Sequence, residues 1–230
     1  MAVHLVKQAA ADVDVTDAAR VSTRGEEILE AFERDPEQDK GLIHFLMRDR
    51  HGSPFEHTSF TFFVQAPIFV AREHFRHRAG WSYNEESGRY KELKPIFYLP
   101  DEKRNLVQVG KAGQYRFEPG TQEQSRLVSW GIRSVSQLSY RVYRILLKAG
   151  IAREVARMVI PVNLYSSFYA TCNARSLMHF LSLRTKREDA TFPSFPQREI
   201  EMVAEQMEDA LARHMPETYA AFEKNGRVAP

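Results

Sequence analysis

The 230-residue chain has a single cysteine, Cys172. That excludes an internal disulfide framework and a cysteine-based zinc site, and it points to a reduced, cytoplasmic setting. No run of eighteen apolar residues occurs, so no membrane span is expected. The opening Met1-Ala-Val-His-Leu-Val-Lys-Gln8 lacks the apolar core of a signal peptide. Net charge is also scarce: 32 Lys and Arg against 30 Asp and Glu leave +2, too little by itself to imply a nucleic-acid binder. Repeats, low-complexity tracts and an evident linker are missing, so residues 1–230 read as one domain. With 43% hydrophobic residues, that domain can bury a sizeable core.

Periodicity supplies the elements. Leu42, Ile43, Leu46 and Met47 fall on one face of a helix over 39–49. His51-Gly-Ser-Pro54 breaks the chain before Phe60, Phe62 and Val64, which alternate as in a strand. Pro67 is placed to open a helix running to about Arg78 and ending near Gly80, followed by a loop over 79–90 and a strand over 93–99. From Thr121 to Lys148 apolar residues recur at helical spacing until Gly150. A short helix over 151–160 stops at Pro161, and 163–171 reads as extended. Asn173 is placed to cap a helix through Arg184, and Pro196 to open a last helix using Ile200, Val203, Met207 and Leu211. Long helices with a few separated strands indicate α+β: a central, mostly antiparallel or mixed sheet flanked by long helices.

Chemistry concentrates in the seventeen residues Phe75 to Lys91, which hold Arg76, Arg78 and Arg89, His77, Glu85, two serines, Asn84 and the hinges Gly80 and Gly88. Arginine forks suit phosphate and carboxylate, and glycine lets backbone approach a ligand, so the mixture reads as a pocket for an anionic, aromatic small molecule. Glu73 shares a helical face with Arg76 and His77, either as an internal ion pair or as a carboxylate serving a ligand. Arg153 reads as a solvated charge. Arg157, set among Val155, Ala156, Met158 and Val159, reads as paired and partly buried. Asn173, Arg175, His179 and Arg184 line up along one helix; by itself His179 reads as a core histidine and Arg184 as a cation at the helix C-terminus. His51 to His57 matches no metalloprotease spacing, so no metal is expected. Cys172, among aromatics, reads as packing.

Together these blocks resemble one family, the flavin-dependent thymidylate synthases. The resemblance rests on Arg76-His77-Arg78, a spacer, then Ser82-Tyr-Asn-Glu-Glu-Ser-Gly-Arg-Tyr90, with Ser53-Pro-Phe-Glu-His57, Ala66 to Arg72, Arg153-Glu-Val-Ala-Arg157 and Asn173-Ala-Arg-Ser176 in order. It implies conversion of dUMP to dTMP, with methylenetetrahydrofolate as carbon donor, NADPH as reductant, bound FAD and no cysteine nucleophile. It also implies that Arg76, His77 and Arg78, with Ser53, Glu85, Asn173, Arg175 and His179, contact FAD. Glu73, Arg76, Glu85, Glu86, Ser87, Gly88, Arg89, Arg157 and Arg184 would hold dUMP, with Ser87 and Arg89 near its phosphate. Arg184 would be catalytic, stabilising charge on the uracil edge. The resemblance further implies a homotetramer with sites shared between subunits and the 121–148 helix against a neighbour, with neither nucleic acid nor membrane as partner.

Two departures stand out. Eight residues, Ala79 to Glu86, separate Arg78 from Ser87 where the family pattern has seven, with Gly80 or Trp81 as the insertion. The segment 185–196, with Phe192-Pro-Ser-Phe-Pro196, has no counterpart in the pattern and reads as a loop over the site. Two other readings fit parts of the composition: a protein that stacks single-stranded nucleic acid on its aromatics, and a flavin- or nucleotide-binding relative without methylation chemistry.

Overall fold

The computed structural model describes residues 1–30, 33–111 and 115–230. In chain order the elements are β1 (Ala2–Ala9), α1 (Asp12–Arg24), α2 (Pro36–Arg48), β2 (Ser59–Pro67), α3 (Ile68–His74), β3 (Trp81–Glu85), β4 (Val107–Val109) and β5 (Arg116–Glu118). They continue with α4 (Gln122–Lys148), α5 (Arg153–Ala156), β6 (Tyr165–Cys172), α6 (Ala174–Arg184), α7 (Arg198–His214) and α8 (Pro216–Lys224). The α+β expectation is borne out. Contacts divide the chain into unit 1 (1–65, 73–84 and 167–230) and unit 2 (66–72 and 85–166).

Unit 1 carries most of a four-stranded sheet in the order β1-β2-β6-β3. β1 and β2 run antiparallel with Val3 opposite Val64 and Leu5 opposite Phe62, and a bulge falls between Leu5 and Lys7. The alternation read from sequence is real: Phe60, Phe62 and Val64 are fully buried, as are Phe168 and Ala170 on β6. Leu177, Met178, Phe180 and Leu181 of α6 and Ile200, Val203, Met207 and Leu211 of α7 complete this core. Each such side chain contributes on the order of 1.5–3 kcal/mol by leaving water. Asp12 caps α8, its carboxylate accepting from the backbone N–H groups of Glu217 and Thr218 (both 2.9 Å) and from the Thr218 hydroxyl.

Unit 2 is built on α4. Its capping box is complete: Thr121 Oγ1 accepts from Gln124 N–H at 3.2 Å while Gln124 Oε1 accepts from Thr121 N–H at 2.8 Å. The fully buried Tyr143 turns its hydroxyl to accept from Leu93 N–H at 3.1 Å. Asn163 donates both to Tyr98 C=O and to Ser136 Oγ at 3.0 Å.

Several expectations are corrected. The helix expected from Pro67 to Arg78 is the short α3: Pro67 ends β2, and the His74 and His77 carbonyls that a longer helix would use accept instead from the Tyr83 hydroxyl. The expected 79–90 loop contains β3, whose backbone pairs beside β6. The expected strand over 93–99 reduces to one antiparallel bridge, Phe97 with Leu164, since Pro95 and Pro100 remove ladder donors on either side. The helix opened by Pro196 is not the last; α8 follows. Arg157 is exposed rather than partly buried; of the apolar residues around it, Val155, Met158 and Val159 are exposed too and Ala156 alone is buried. Among the described residues no helix is long and apolar enough to cross a membrane.

Candidate functional site

The end of α3, the turn after it and the last residues of α6 meet in unit 1. They enclose a cavity of about 500 Å³. Its cationic wall is Arg76, Arg78 and Arg184, its imidazoles are His77 and His179, and Ala79, Trp81 and Leu183 are its apolar edges. Among the described residues no acidic side chain lines it. Three guanidiniums beside an indole suit an aromatic anion.

Sequence places each wall for a physical reason. Asn173 caps α6 by accepting from Ser176 N–H at 2.8 Å, which starts the helix that ends at Arg184. Gly80 sits at φ +68°, and a Cβ there would lie 2.1 Å from Ser176 Oγ. The spacer therefore makes its turn at a glycine pressed against the first turn of α6, with Trp81 N–H bonded to Arg78 C=O. Trp81 stacks parallel on Tyr83 with centroids 5.8 Å apart.

Arg184 is half-buried. Its Nε–H donates to His77 Nε2 at 3.0 Å and Nη1 donates to Glu73 Oε2 at 3.3 Å. Burial pushes the Glu73 carboxyl up and the Arg184 guanidinium down, each shift only partly offset by the attraction between them. Burial, reinforced by the Arg184 charge, also lowers the His77 pKa to about 4.

Behind this wall His74 is fully buried in an aromatic cage of Trp81, Tyr83, Phe168 and Phe180, with Phe180 closest at 4.6 Å. The Tyr83 hydroxyl donates to the carbonyls of His77 (2.8 Å) and His74 (3.1 Å), tying down the turn that carries Arg76 to Arg78. Burial also lowers the His74 pKa to about 3, and its Nε2 has no hydrogen-bond partner among the described residues.

The shifts of His74 and His77 set a pH dependence. Both histidines have folded pKa values below the unfolded value of about 6.5, so the unfolded chain binds more protons between the two. Their contribution to stability is complete above about pH 6.5 and falls as pH drops towards 4 and then 3. Denaturant midpoints measured from pH 7.5 to 4.5 are expected to decline, and His74→Phe is expected to flatten that decline. An unchanged slope in His74→Phe would assign the acid sensitivity elsewhere.

The remaining residues expected at the site stand as follows. His179, read by itself as a core histidine, is exposed and lines the cavity. Arg175 is held by Glu56 at 2.5 Å and by Pro230 C=O at 2.6 Å, over Gly52, where a Cβ would strike its guanidinium. Ser53 is exposed at the head of a 3-10 turn. Within unit 2, Ser87 Oγ accepts from Arg89 N–H at 3.2 Å, and Arg89 pairs with Glu154 at 3.0 Å in water. Gly88 is buried, with a Cβ position 3.2 Å from Leu93. Glu86 pairs with Lys91 at 2.5 Å, and Arg157 is exposed. Sequence reasoning missed three supports: Tyr83, His74 and Ser166, whose hydroxyl donates to Glu85 Oε1 at 2.5 Å. Ser166 lies 81 positions from Glu85, so no local pattern marks the pair.

Cys172, the last residue of β6, is buried, and desolvation pushes its thiol well above its ordinary pKa. That is the environment of a packing residue, not of a thiolate.

Comparison with known proteins places this geometry. The profile of the family described as Thymidylate synthase complementing protein matches residues 4–217. The flavin-dependent thymidylate synthase of Streptomyces coelicolor is 64% identical over 228 residues, covering 99% of this chain and 93% of that protein. That of Thermus thermophilus is 41% identical over 97% of this chain and 76% of its own length. Among solved structures, a UMP/dUMP methylase PolB from Streptomyces cacaoi bound with 5-Br dUMP is 54% identical, with a TM-score of 0.94 over 100% of this chain and 97% of that one. The match spans nearly the whole chain at high identity, and the chain belongs to the flavin-dependent thymidylate synthase family of enzymes.

Proposed function

We propose that this enzyme converts dUMP to dTMP, with FAD as its flavin, methylenetetrahydrofolate as carbon donor and NADPH as reductant. The observation that carries the reading is Arg184, half-buried and fixed by two partners on the wall of a cationic, aromatic-edged cavity. The PolB structures, solved with 5-Br dUMP and 5-Br UMP, support a uridine nucleotide as the substrate class.

The cavity's residues fit a flavin dinucleotide: guanidiniums for its diphosphate, and the Trp81 edge and two imidazoles for its ring system. Arg76, His77, Arg78, Ser53, Glu85, Asn173, Arg175 and His179 are the residues assigned to hold it. When bound, the flavin supplies the hydride chemistry. The protein's part is electrostatic. Glu73, Arg76, Glu85, Glu86, Ser87, Gly88, Arg89, Arg157 and Arg184 are the residues assigned to dUMP, in sites shared between subunits of a homotetramer. Arg184, set at the uracil edge, stabilises negative charge as N3 loses its proton, which raises electron density at C5 and makes it the nucleophile. Ser87 and Arg89 take the phosphate, with Arg89 exchanging Glu154 for the more highly charged partner.

The tetramer reading is supported by α4. Leu127, Trp130, Leu138 and Ile145 stand exposed at helical spacing along it, and Trp130 keeps 67% of its surface. Such a stripe is the signature of an interface between chains.

The experiment is spectroscopic. Purified protein is expected to show an oxidised-flavin spectrum, to bleach with NADPH, and to recover anaerobically only when dUMP and methylenetetrahydrofolate are both added. Protein that stays colourless with added FAD would overturn the reading; bleaching without dUMP-dependent recovery would identify a relative that has lost the methylation. Because no thiolate is needed, Cys172→Ala is expected to keep turnover within about three-fold. A folded but inactive Cys172→Ala would require a different chemistry.

A further inference from the structure

We infer that His77 is a positioning residue for Arg184: it accepts the Arg184 Nε–H through Nε2, is locked as the Nδ1–H tautomer, and thereby dedicates the Arg184 Nη2 group to the substrate. The inference rests on the reading of Arg184 above and adds a role to His77 beyond lining the cavity.

An arginine has five N–H donors and no acceptor. At 3.0 Å from Arg184 Nε, the His77 Nε2 atom must therefore offer a lone pair. The ring is neutral and its only proton is on Nδ1. Glu73 Oε2 takes a proton of Nη1 at 3.3 Å. Two of the three guanidinium nitrogens are thus held by protein from two directions, one by a neutral ring and one by a carboxylate. Nη2 has no protein partner among the described residues and is the fully free donor on a residue that lines the cavity. A guanidinium held at two points loses the rotamer freedom that a long side chain otherwise retains, so its free end is pre-organised rather than recruited.

The surroundings of His77 enforce neutrality. Arg184 and His179 face it from α6, Arg76 from its own turn, and His74 lies one turn earlier. The Phe180 ring stands edge-on at 4.9 Å. A proton on Nε2 would oppose an N–H to the N–H of Arg184 at the same site. Loss of the acceptor and gain of a like charge would release Arg184 together. Tyr83 fixes the backbone of the same ring by donating to the His77 carbonyl at 2.8 Å, so the imidazole is held from both ends.

Two arms test this. In the first, the protein as purified, with 15N-labelled histidine, is examined by NMR at pH 7.5. The expected result is one histidine with an unprotonated Nε2 and a protonated Nδ1 that is altered in Arg184→Ala. A His77 signal with the proton on Nε2 would overturn the proposal. In the second, His77→Gln places an amide oxygen at the reach of Nε2, whereas His77→Asn stops at the reach of Nδ1. On flavin-loaded protein, His77→Gln is expected to stay within about ten-fold of wild-type kcat and to lose the acid limb of the pH profile that His77 sets. His77→Asn is expected to fall about a hundred-fold in kcat with less change in KM for dUMP. His77→Asn combined with Arg184→Ala is expected to be no slower than Arg184→Ala alone, because one residue acts through the other. Additive losses would overturn the proposal by showing that His77 acts on its own. A fully active Arg184→Ala would overturn the reading of Arg184 and with it the positioning role, while the NMR arm would still report on the hydrogen bond itself.

Discussion

Arg184→Ala is expected to lower turnover by about 10²–10³-fold, the usual range for removing one pre-organised donor from a developing anion. Flavin binding should change only a few-fold. The cavity keeps Arg76 and Arg78 for the dinucleotide, and among the described residues Arg184 hydrogen-bonds only to Glu73 and His77. The variant should fold. Truncation leaves Glu73 only half-buried, with its carboxyl already pushed towards protonation, so no fully desolvated charge is stranded. Stopped-flow measurement of flavin reoxidation in the presence of dUMP, alongside fluorescence titration with FAD, separates the two quantities. Equal losses in both would mean that Arg184 serves the flavin and not the pyrimidine.

Arg227→Ala is expected to destabilise the protein by about 3–5 kcal/mol, the range for breaking a buried ion pair from one side. Arg227 is 3% exposed and donates to Glu208 Oε1 at 2.6 Å, to Thr185 Oγ1 at 2.8 Å and to Glu223. Glu208 is itself 4% exposed, and Arg187 is its other cationic partner. Removing Arg227 leaves Glu208 buried with a half-exposed arginine and a tyrosine hydroxyl as its main company. In a chain of this size each kcal/mol shifts the midpoint by roughly 2–4 °C, so calorimetry should show a fall of about 6–20 °C. The same residue tethers the chain directly after Arg184: Thr185 Oγ1 donates to Leu181 C=O, and Ser194 Oγ donates to Thr185 C=O at 2.6 Å. A loss of less than about 1 kcal/mol would mean that water replaces Arg227 without penalty.

What could be read from sequence was local. Apolar residues at helical spacing from Thr121 announce α4, and Gly150 at φ +80° marks where it stops. Asn173 announces α6, and the alternation of Phe60, Phe62 and Val64 announces β2. In each case the signal and the structure lie within one turn or one strand. β1 was silent because few of its side chains are buried, so it carries little alternation to detect, and a bulge after Leu5 shifts its register. β3 was silent because Trp81-Ser-Tyr-Asn-Glu85 is mixed in polarity and is held as a strand by its neighbour β6. α8 begins at Pro216, but its cap, Asp12, lies some two hundred positions earlier.

The site shows the same division. The arginines and histidines of residues 75–91 were conspicuous by composition, and the resemblance named their ligands. Their partners were not visible. Arg184 meets His77 across 107 positions and Glu73 across 111. His179 was misread when taken alone because Met178 and Phe180 beside it are buried, while the helix turns His179 itself outward into the cavity. Helical spacing tells which residues share a face; it does not tell which face meets solvent.

The most direct test of the account is release of deuterium from dUMP labelled at C5, with NADPH and methylenetetrahydrofolate, in wild type, Cys172→Ala and Arg184→Ala. The account predicts release coupled one-to-one with dTMP in the first two and nearly abolished in the third. Release that depends on Cys172 and survives loss of Arg184 would contradict it.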